Sequence, residues 1–286
     1  MHAKYFGVIE GFYGKPYTYK QRIDLIEFLA LIGLNTYIYG PKDDPLHRRF
    51  WKKHYSTDKI KEFKYLNRLS QSVGVIFNYA LSPMHDPDSK AILKKIEQLH
   101  DIGIDSFSLF YDDIDIELNS IIARKQSKSA NMLYSYLKKS ILSPIVFFCP
   151  TQYRGFSDSS YIKTISHELL TPINIFWTGN RVVSKRITKS DIKRITRILG
   201  RPPVIWDNIY ANDYCPGKIW RKPYKNRSAS IIDNTRGTLL NPMNEYWLSK
   251  PLIYTAGQFF IQGSNYRSKK AWDQSKKFMK MEVTKC

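Results

Sequence analysis

Cysteine is scarce. Cys149, Cys215 and Cys286 are the only thiols in 286 residues. Odd in number and without ligand spacing, they exclude a disulfide framework and a zinc site. No apolar run is long enough to span a bilayer, so no membrane partner is expected. No Gly-rich phosphate fingerprint follows any strand-like run, which removes the usual nucleotide binders. The start, Met1-His2-Ala3-Lys4, runs straight into Tyr5-Phe6-Gly7-Val8-Ile9 without the layout of a secretory signal. A reduced, cytoplasmic setting is expected, with neither metal nor other cofactor.

Acidic residues are also outnumbered, 25 against 45 basic ones, for a formal charge of +20. Such an excess raises nucleic acid or an acidic surface as a partner. The lysines and arginines are spread along the chain, densest over 181–197, 218–227 and 267–285. No zinc finger, RNA-binding signature or recognition-helix pattern accompanies them. Nucleic acid is therefore not the expected partner. The charge reads as a solubility feature with some affinity for acidic partners, and a basic binding protein stays open as an alternative function.

What the chain does contain is a regular alternation. Strand-like runs occur at Tyr5–Ile9, Asn35–Tyr39, Val75–Ala80, Ser106–Tyr111, Ile145–Phe148, Ile173–Trp177, Val204–Trp206 and Gly237–Leu240. Several intervals carry a helical apolar period: Ile23, Ile26, Leu29 and Ile32; Ile60, Phe63, Leu66 and Leu69; Ile92, Ile96 and Leu99; Ile192, Ile195 and Leu199. Gly33, Gly74, Gly103 and Gly200 stand where those helices would stop. Strands alternating with helices imply right-handed βαβ units and a parallel sheet. Eight units in this length match a closed (β/α)8 TIM barrel, with residues 1–264 as its domain and 265–286 as a short basic tail.

Barrel chemistry sits on the loops after the strands. Here those loops hold Glu10-Gly11-Phe12-Tyr13-Gly14, Pro41-Lys42-Asp43-Asp44, Asp112-Asp113, Cys149-Pro150-Thr151-Gln152-Tyr153, Trp177-Thr178-Gly179, Trp206-Asp207-Asn208 with Asp213-Tyr214, and Asn241-Pro242. Alone, two adjacent aspartates at a strand end more often cap a helix or form surface ion pairs. Repeated pairing of aromatics with amides and carboxylates points instead to a carbohydrate, whose C–H faces stack on rings and whose hydroxyls take bidentate partners.

Gly7-Val8-Ile9-Glu10-Gly11-Phe12-Tyr13-Gly14-Lys15-Pro16 resembles the opening strand of glycoside hydrolase family 84, the O-GlcNAcases and related bacterial β-N-acetylglucosaminidases. Tyr39–Asp44, Phe110–Asp115, Trp177–Gly179, Trp206–Tyr214 and Asn241-Pro242 continue the match in order over about residues 4 to 262. The resemblance implies retaining hydrolysis in which the substrate's own 2-acetamido oxygen is the nucleophile, an exception to the two-carboxylate rule. It makes Asp113 the general acid and then base, Asp112 the partner of the acetamido N–H, and Tyr153 a support for the acetamido oxygen. It places Trp206 as a pocket wall and Asn208 on the acetamido group. Asp213 and Asn241 would hold the far hydroxyls, Lys42 and Gly11 would contact the sugar, and Thr178, Val182 and Tyr214 would line the pocket or its mouth. Two neighbouring carboxyls are expected to split, one with a raised pKa and one ionised. For Trp206 a core role, for Lys42 a surface pair with Asp43, and for Asn241 a turn role remain alternatives, as does a sugar-binding module without turnover. The chain departs from the family at Gln152 and Arg154 beside Tyr153, and at Asn180 and Arg181 after Gly179.

Overall fold

A computed structural model describes residues 4–85 and 87–283. Met1, His2, Ala3 and Cys286 lie outside the described residues. Eight strands, β1 (Tyr5–Glu10), β2 (Thr36–Tyr39), β3 (Ile76–Leu81), β4 (Ser106–Phe110), β5 (Ile145–Cys149), β6 (Asn174–Trp177), β7 (Val204–Asp207) and β8 (Gly237–Leu240), alternate with helices. They hydrogen-bond in sequence order, all parallel, and β8 pairs back onto β1 through Tyr5 with Gly237 and Val8 with Leu240. The barrel is closed, as the alternation implied, and no sheet edge is left to pair with another chain.

The helices facing that ring are α1 (Tyr19–Leu31), α2 (Thr57–Ser72), α3 (Ser89–His100), α4 (Ser120–Leu137), α5 (Ser160–Glu168), α6 (Lys189–Leu199), the short α7 (Ser230–Asn234) and α8 (Tyr246–Gln262). Side chains of Thr18, Ser56, Asp88, Asn119, Ser159 and Thr188 accept first-turn amides and start six of them. The four glycines expected to stop helices all have left-handed φ, between 65° and 91°. A last helix, α9 (Ser268–Val283), occupies most of the basic 265–286 stretch. Its Phe278 packs on Tyr254 of α8 and Phe28 of α1, with ring centroids 5.1 and 6.1 Å apart.

Two apolar layers hold the ring. The larger lies between strands and helices. The smaller fills the lumen and includes Tyr5, Ile9, Phe110, Phe147, Phe176 and Trp206. Tyr5 on β1 meets Phe147 on β5, half a turn round the ring, at 4.9 Å between centroids. Burial of each such side chain contributes about 1.5–3 kcal/mol. The lumen is therefore plugged below, and any site must sit above this aromatic layer.

Candidate active site

Phe110 closes the lumen, and the chain then turns sharply. Asp113 takes a left-handed backbone, φ 52°, unusual for a residue with a Cβ. The turn sends the two neighbouring carboxylates to different places. Asp112 is buried, while Asp113 stands at a cavity mouth. Lys42, just past β2, lies over the rings of Phe110 and Trp206 at 5.6 and 5.5 Å and ion-pairs with Asp112 Oδ2. Its partner is thus the buried Asp112 rather than Asp43 at the surface. The other oxygen, Asp112 Oδ1, is buried with no hydrogen-bond partner. A buried carboxylate oxygen left in that state is costly unless a donor is brought to it.

Asp113 is held differently. Tyr153 donates its hydroxyl to Oδ1 at 2.7 Å, and Tyr13 donates to Oδ2 at 3.0 Å. Arg48 donates to the Tyr13 hydroxyl at 2.6 Å and to the Asp113 carbonyl at 2.9 Å. Partial burial pushes the Asp113 carboxyl up, but the charge of Lys42 and the Tyr153, Tyr13 and Arg48 contributions outweigh it and leave the pKa lowered. Of the expected split, with one carboxyl raised and one ionised, Asp113 is not the raised member. Burial, then the Asp113 charge, pushes the Tyr13 phenol up to about 12 and the Tyr153 phenol higher still, so both remain protonated donors.

The rest of the cavity is built by strand-tip side chains that hold one another. Gly11 lies against the Trp206 indole, where an added Cβ would stand 2.4 Å from Cζ2. The Gly11 amide donates to Asn241 Oδ1 at 3.2 Å, Asn241 donates to Asn208 at 2.9 Å, and Asn208 donates to the Val182 carbonyl at 2.9 Å. Asp213 accepts the Tyr13 amide at 2.9 Å. Thr178 donates its amide to Tyr153 and its hydroxyl to Arg181, both at 3.0 Å to the carbonyl oxygen. Val182 and Tyr214, 39 % and 55 % exposed, form the outer lip.

The enclosed space is about 500 Å3, within the range of small-molecule sites. Of the twelve residues singled out in the sequence, Gly11, Asp112, Asp113, Tyr153, Thr178, Val182, Trp206, Asn208, Asp213, Tyr214 and Asn241 all line it. Lys42 stands behind Asp112 instead. Sequence reasoning missed Tyr13, Cys149, Val183 and Ala211, which also line the cavity, and Arg48 behind Tyr13. Tyr13 sat inside a quoted loop motif; nothing in the sequence alone said its hydroxyl would reach residue 113. Among the described residues, no group of three His, Cys, Asp or Glu is placed to hold a metal ion.

A family model for beta-N-acetylglucosaminidase matches residues 6–285. The chain belongs to that family. Two curated relatives, the proteins named Protein O-GlcNAcase of Rattus norvegicus and of Mus musculus, are each 38 % identical over 279 residues, or 91 % of this chain. The chain spans 30 % of the length of each. Among solved structures, an O-GlcNAc hydrolase mutant from Thermobaculum terrenum superposes with a TM-score of 0.91 at 29 % identity, covering 97 % of this chain and 63 % of that one. The structure of CpGH84B gives 0.87 at 28 % identity, covering 96 % and 51 %.

Within this beta-N-acetylglucosaminidase barrel, not every polar strand tip serves the cavity. Glu10 accepts Arg22 through both oxygens, and Asp207 does the same with Arg227. Asp44 accepts the hydroxyls of Tyr39 and Tyr55, each at 2.6 Å. These carboxylates anchor loops from below. The departures from the family motif lie at the rim: Arg154, Asn180 and Arg181 are exposed, and Gln152 accepts Ser159 at 2.7 Å.

Proposed function

We propose that this chain hydrolyses β-linked N-acetylglucosamine with retention, using the substrate's acetamido group as nucleophile, and that its substrates are glycosylated proteins. The orphan Asp112 Oδ1 carries this assignment. Its carboxylate partner oxygen is fixed by Lys42, so one buried acceptor faces a sugar-sized cavity with no donor of its own. An acetamido N–H meets that requirement. A hydroxyl in its place would also donate to that oxygen, but it brings no methyl group to pack on the Trp206 wall.

In the first step the acetamido oxygen attacks the anomeric carbon while the glycosidic C–O bond breaks. Asp113 delivers its proton to the leaving oxygen. Asp112, with its other oxygen paired to Lys42, takes the hydrogen bond of the acetamido N–H and stabilises the positive charge growing on the oxazolinium. Tyr153, bonded to Asp113, turns its hydroxyl to the acetamido oxygen. In the second step Asp113 accepts a proton from water as it opens the oxazoline, which restores the β configuration. Asp213 and Asn241 hold the far hydroxyls, and Trp206, Gly11, Asn208 and Thr178 shape the pocket.

Among the described residues no helix is long and apolar enough to cross a membrane, and the described cysteines, Cys149 and Cys215, are unpaired. The free cysteines suit a protein working in a reducing compartment. A protein substrate is favoured by the name of the two mammalian relatives, Protein O-GlcNAcase.

The test is release of 4-methylumbelliferone from its β-N-acetylglucosaminide. The wild-type chain is expected to turn the glycoside over, and Asp113→Ala to lose about 10²–10⁴-fold in kcat. A wild-type chain that binds N-acetylglucosamine but never hydrolyses it would replace this proposal with a sugar-binding module.

A further inference from the structure

Between residues 181 and 227 the chain carries thirteen lysines and arginines and three aspartates. Two of the three are spoken for: Asp207 is buried with Arg227, and Asp191 caps α6. The third, Asp213, lines the cavity. This stretch supplies the loops after β6 and β7, on the same face as the cavity. Ile187 and Arg227 form a short parallel bridge, and Ser228 donates its amide to the Ile187 carbonyl at 2.9 Å. That bridge stitches the two loops together and leaves an open groove of about 530 Å3 between Lys185, Arg186, Lys189 and Asn226. Arg181 and Val182 lead from the groove to the cavity lip.

The cations here are not neutralised by the fold. Lys185, Arg186, Lys189, Lys222 and Lys225 are exposed. Among the described residues the ion pairs of the neighbouring loops, Asp158 with Lys163 and Asp207 with Arg227, leave these five out. Partial burial, and next the charges of Lys225 and Lys218, lower the Lys222 pKa, the mark of like charges held together. Elsewhere on the rim the sign reverses. The loop after β4 exposes Asp115 and Glu117. The cavity mouth is therefore polarised, basic beside β6 and β7 and acidic beside β4.

We infer that the loops after β6 and β7 form a docking surface for an acidic segment of the polypeptide that carries the sugar. This rests on the proposed glycosidase activity. It adds that the enzyme selects its substrates by the charge flanking the glycosylated residue. Nucleic acid fits the surface less well, because single strands need free aromatic faces for stacking. The Trp220 ring is already covered by Lys218 and Lys222 at 4.1 and 4.2 Å, and the Phe156 ring by Arg194 at 4.5 Å, which leaves Tyr214 at the cavity lip as a single exposed ring rather than a stacking platform.

The experiment compares kcat/KM for two glycopeptides, identical except for glutamates or serines flanking one β-GlcNAc-serine, with the umbelliferyl glycoside as reference. The wild type is expected to prefer the acidic peptide about tenfold at low ionic strength, with the preference fading as salt is added. In a Lys185→Glu, Arg186→Glu, Lys225→Glu variant the preference disappears while hydrolysis of the umbelliferyl glycoside is unchanged. Equal use of both peptides at low salt, or a preference that survives the charge reversal, overturns the inference. Anisotropy of a labelled, unglycosylated glutamate-rich peptide reads the same surface without turnover. Salt-sensitive binding lost in the variant supports the docking site, whereas no binding, or tighter binding of an oligothymidylate, overturns it. If the wild type hydrolysed none of the three glycosides, the activity would fall, and the anisotropy would decide the surface alone.

Discussion

Gly11 shows how little room the site allows. A methyl group there would stand 2.4 Å from the Trp206 indole, closer than non-bonded carbons approach, so the ring must move. In the proposed mode Trp206 is the wall against which the acetamido group rests, and a misplacement of about 1 Å can cost roughly 10²-fold in rate. Gly11→Ala is expected to lose activity on that scale on the umbelliferyl glycoside while its far-UV circular dichroism stays that of the wild type. Full activity would show that Trp206 does not position the substrate. Tyr13 offers a test in the opposite sense. Its hydroxyl stabilises ionised Asp113 and is itself held by Arg48. Removing a donor to a carboxylate raises its pKa. The proposed first step needs Asp113 protonated, so the alkaline limb of the kcat/KM profile is expected to follow that pKa. Tyr13→Phe is therefore expected to move the alkaline limb to higher pH, and an unmoved or downward-shifted limb would exclude Tyr13 from setting the acid.

At the level of elements, the barrel is held in register by buried ion pairs that the sequence disguised. Arg22 on α1 reaches Glu10 at the end of β1, 4 % and 0 % exposed; Arg227 reaches Asp207 at the end of β7 in the same way. Such a pair adds little over an apolar substitute, but removing one partner strands a buried charge. Arg22→Met is expected to lose about 3–5 kcal/mol in urea unfolding, and Glu10→Gln with Arg22→Met to recover part of it. A single variant as stable as the wild type would remove the staple. Strand positions were legible because buried parallel strands are short apolar runs, and the helix stops because Gly33, Gly74, Gly103 and Gly200 each need a left-handed φ. The cavity-lining set was legible because the loop motifs repeat a known order. Which strand-tip acid faces the cavity came from the resemblance and not from the residues alone. Glu10, Asp207 and Asp112 each meet a buried cation, and it is the unpartnered Oδ1 of Asp112 that tells the site carboxylate from the structural ones. Nor could the direction of the Asp113 shift be foreseen, since Tyr13, Arg48 and Lys42 come from other loops.

For the molecule as a whole, acid is the revealing stress. The chain already carries +20, and lowering the pH adds charge to a surface that repels itself. Inside, His47 is buried with its Nδ1 2.7 Å from the Ala80 carbonyl, which requires Nδ1 to hold the proton. Burial first, and the charge of Lys42 next, lower its pKa from 6.5 to about 3. Between those values the unfolded chain binds a proton that the folded one refuses, so stability falls as pH falls through this window. One such proton sets a slope of about 1.4 kcal/mol per pH unit. Ordinary carboxylates begin to protonate at about pH 5, so unfolding free energies are compared from pH 6.5 down to about 5. His47→Gln is expected to be less stable at neutral pH, having lost a fitted ring, yet to show a shallower decline with acid than the wild type. The other histidines are common to both proteins and cancel in the difference. Parallel declines would mean that His47 takes up its proton in the folded state, and that the floor beneath Lys42 and Asp112 is wetter than its packing implies.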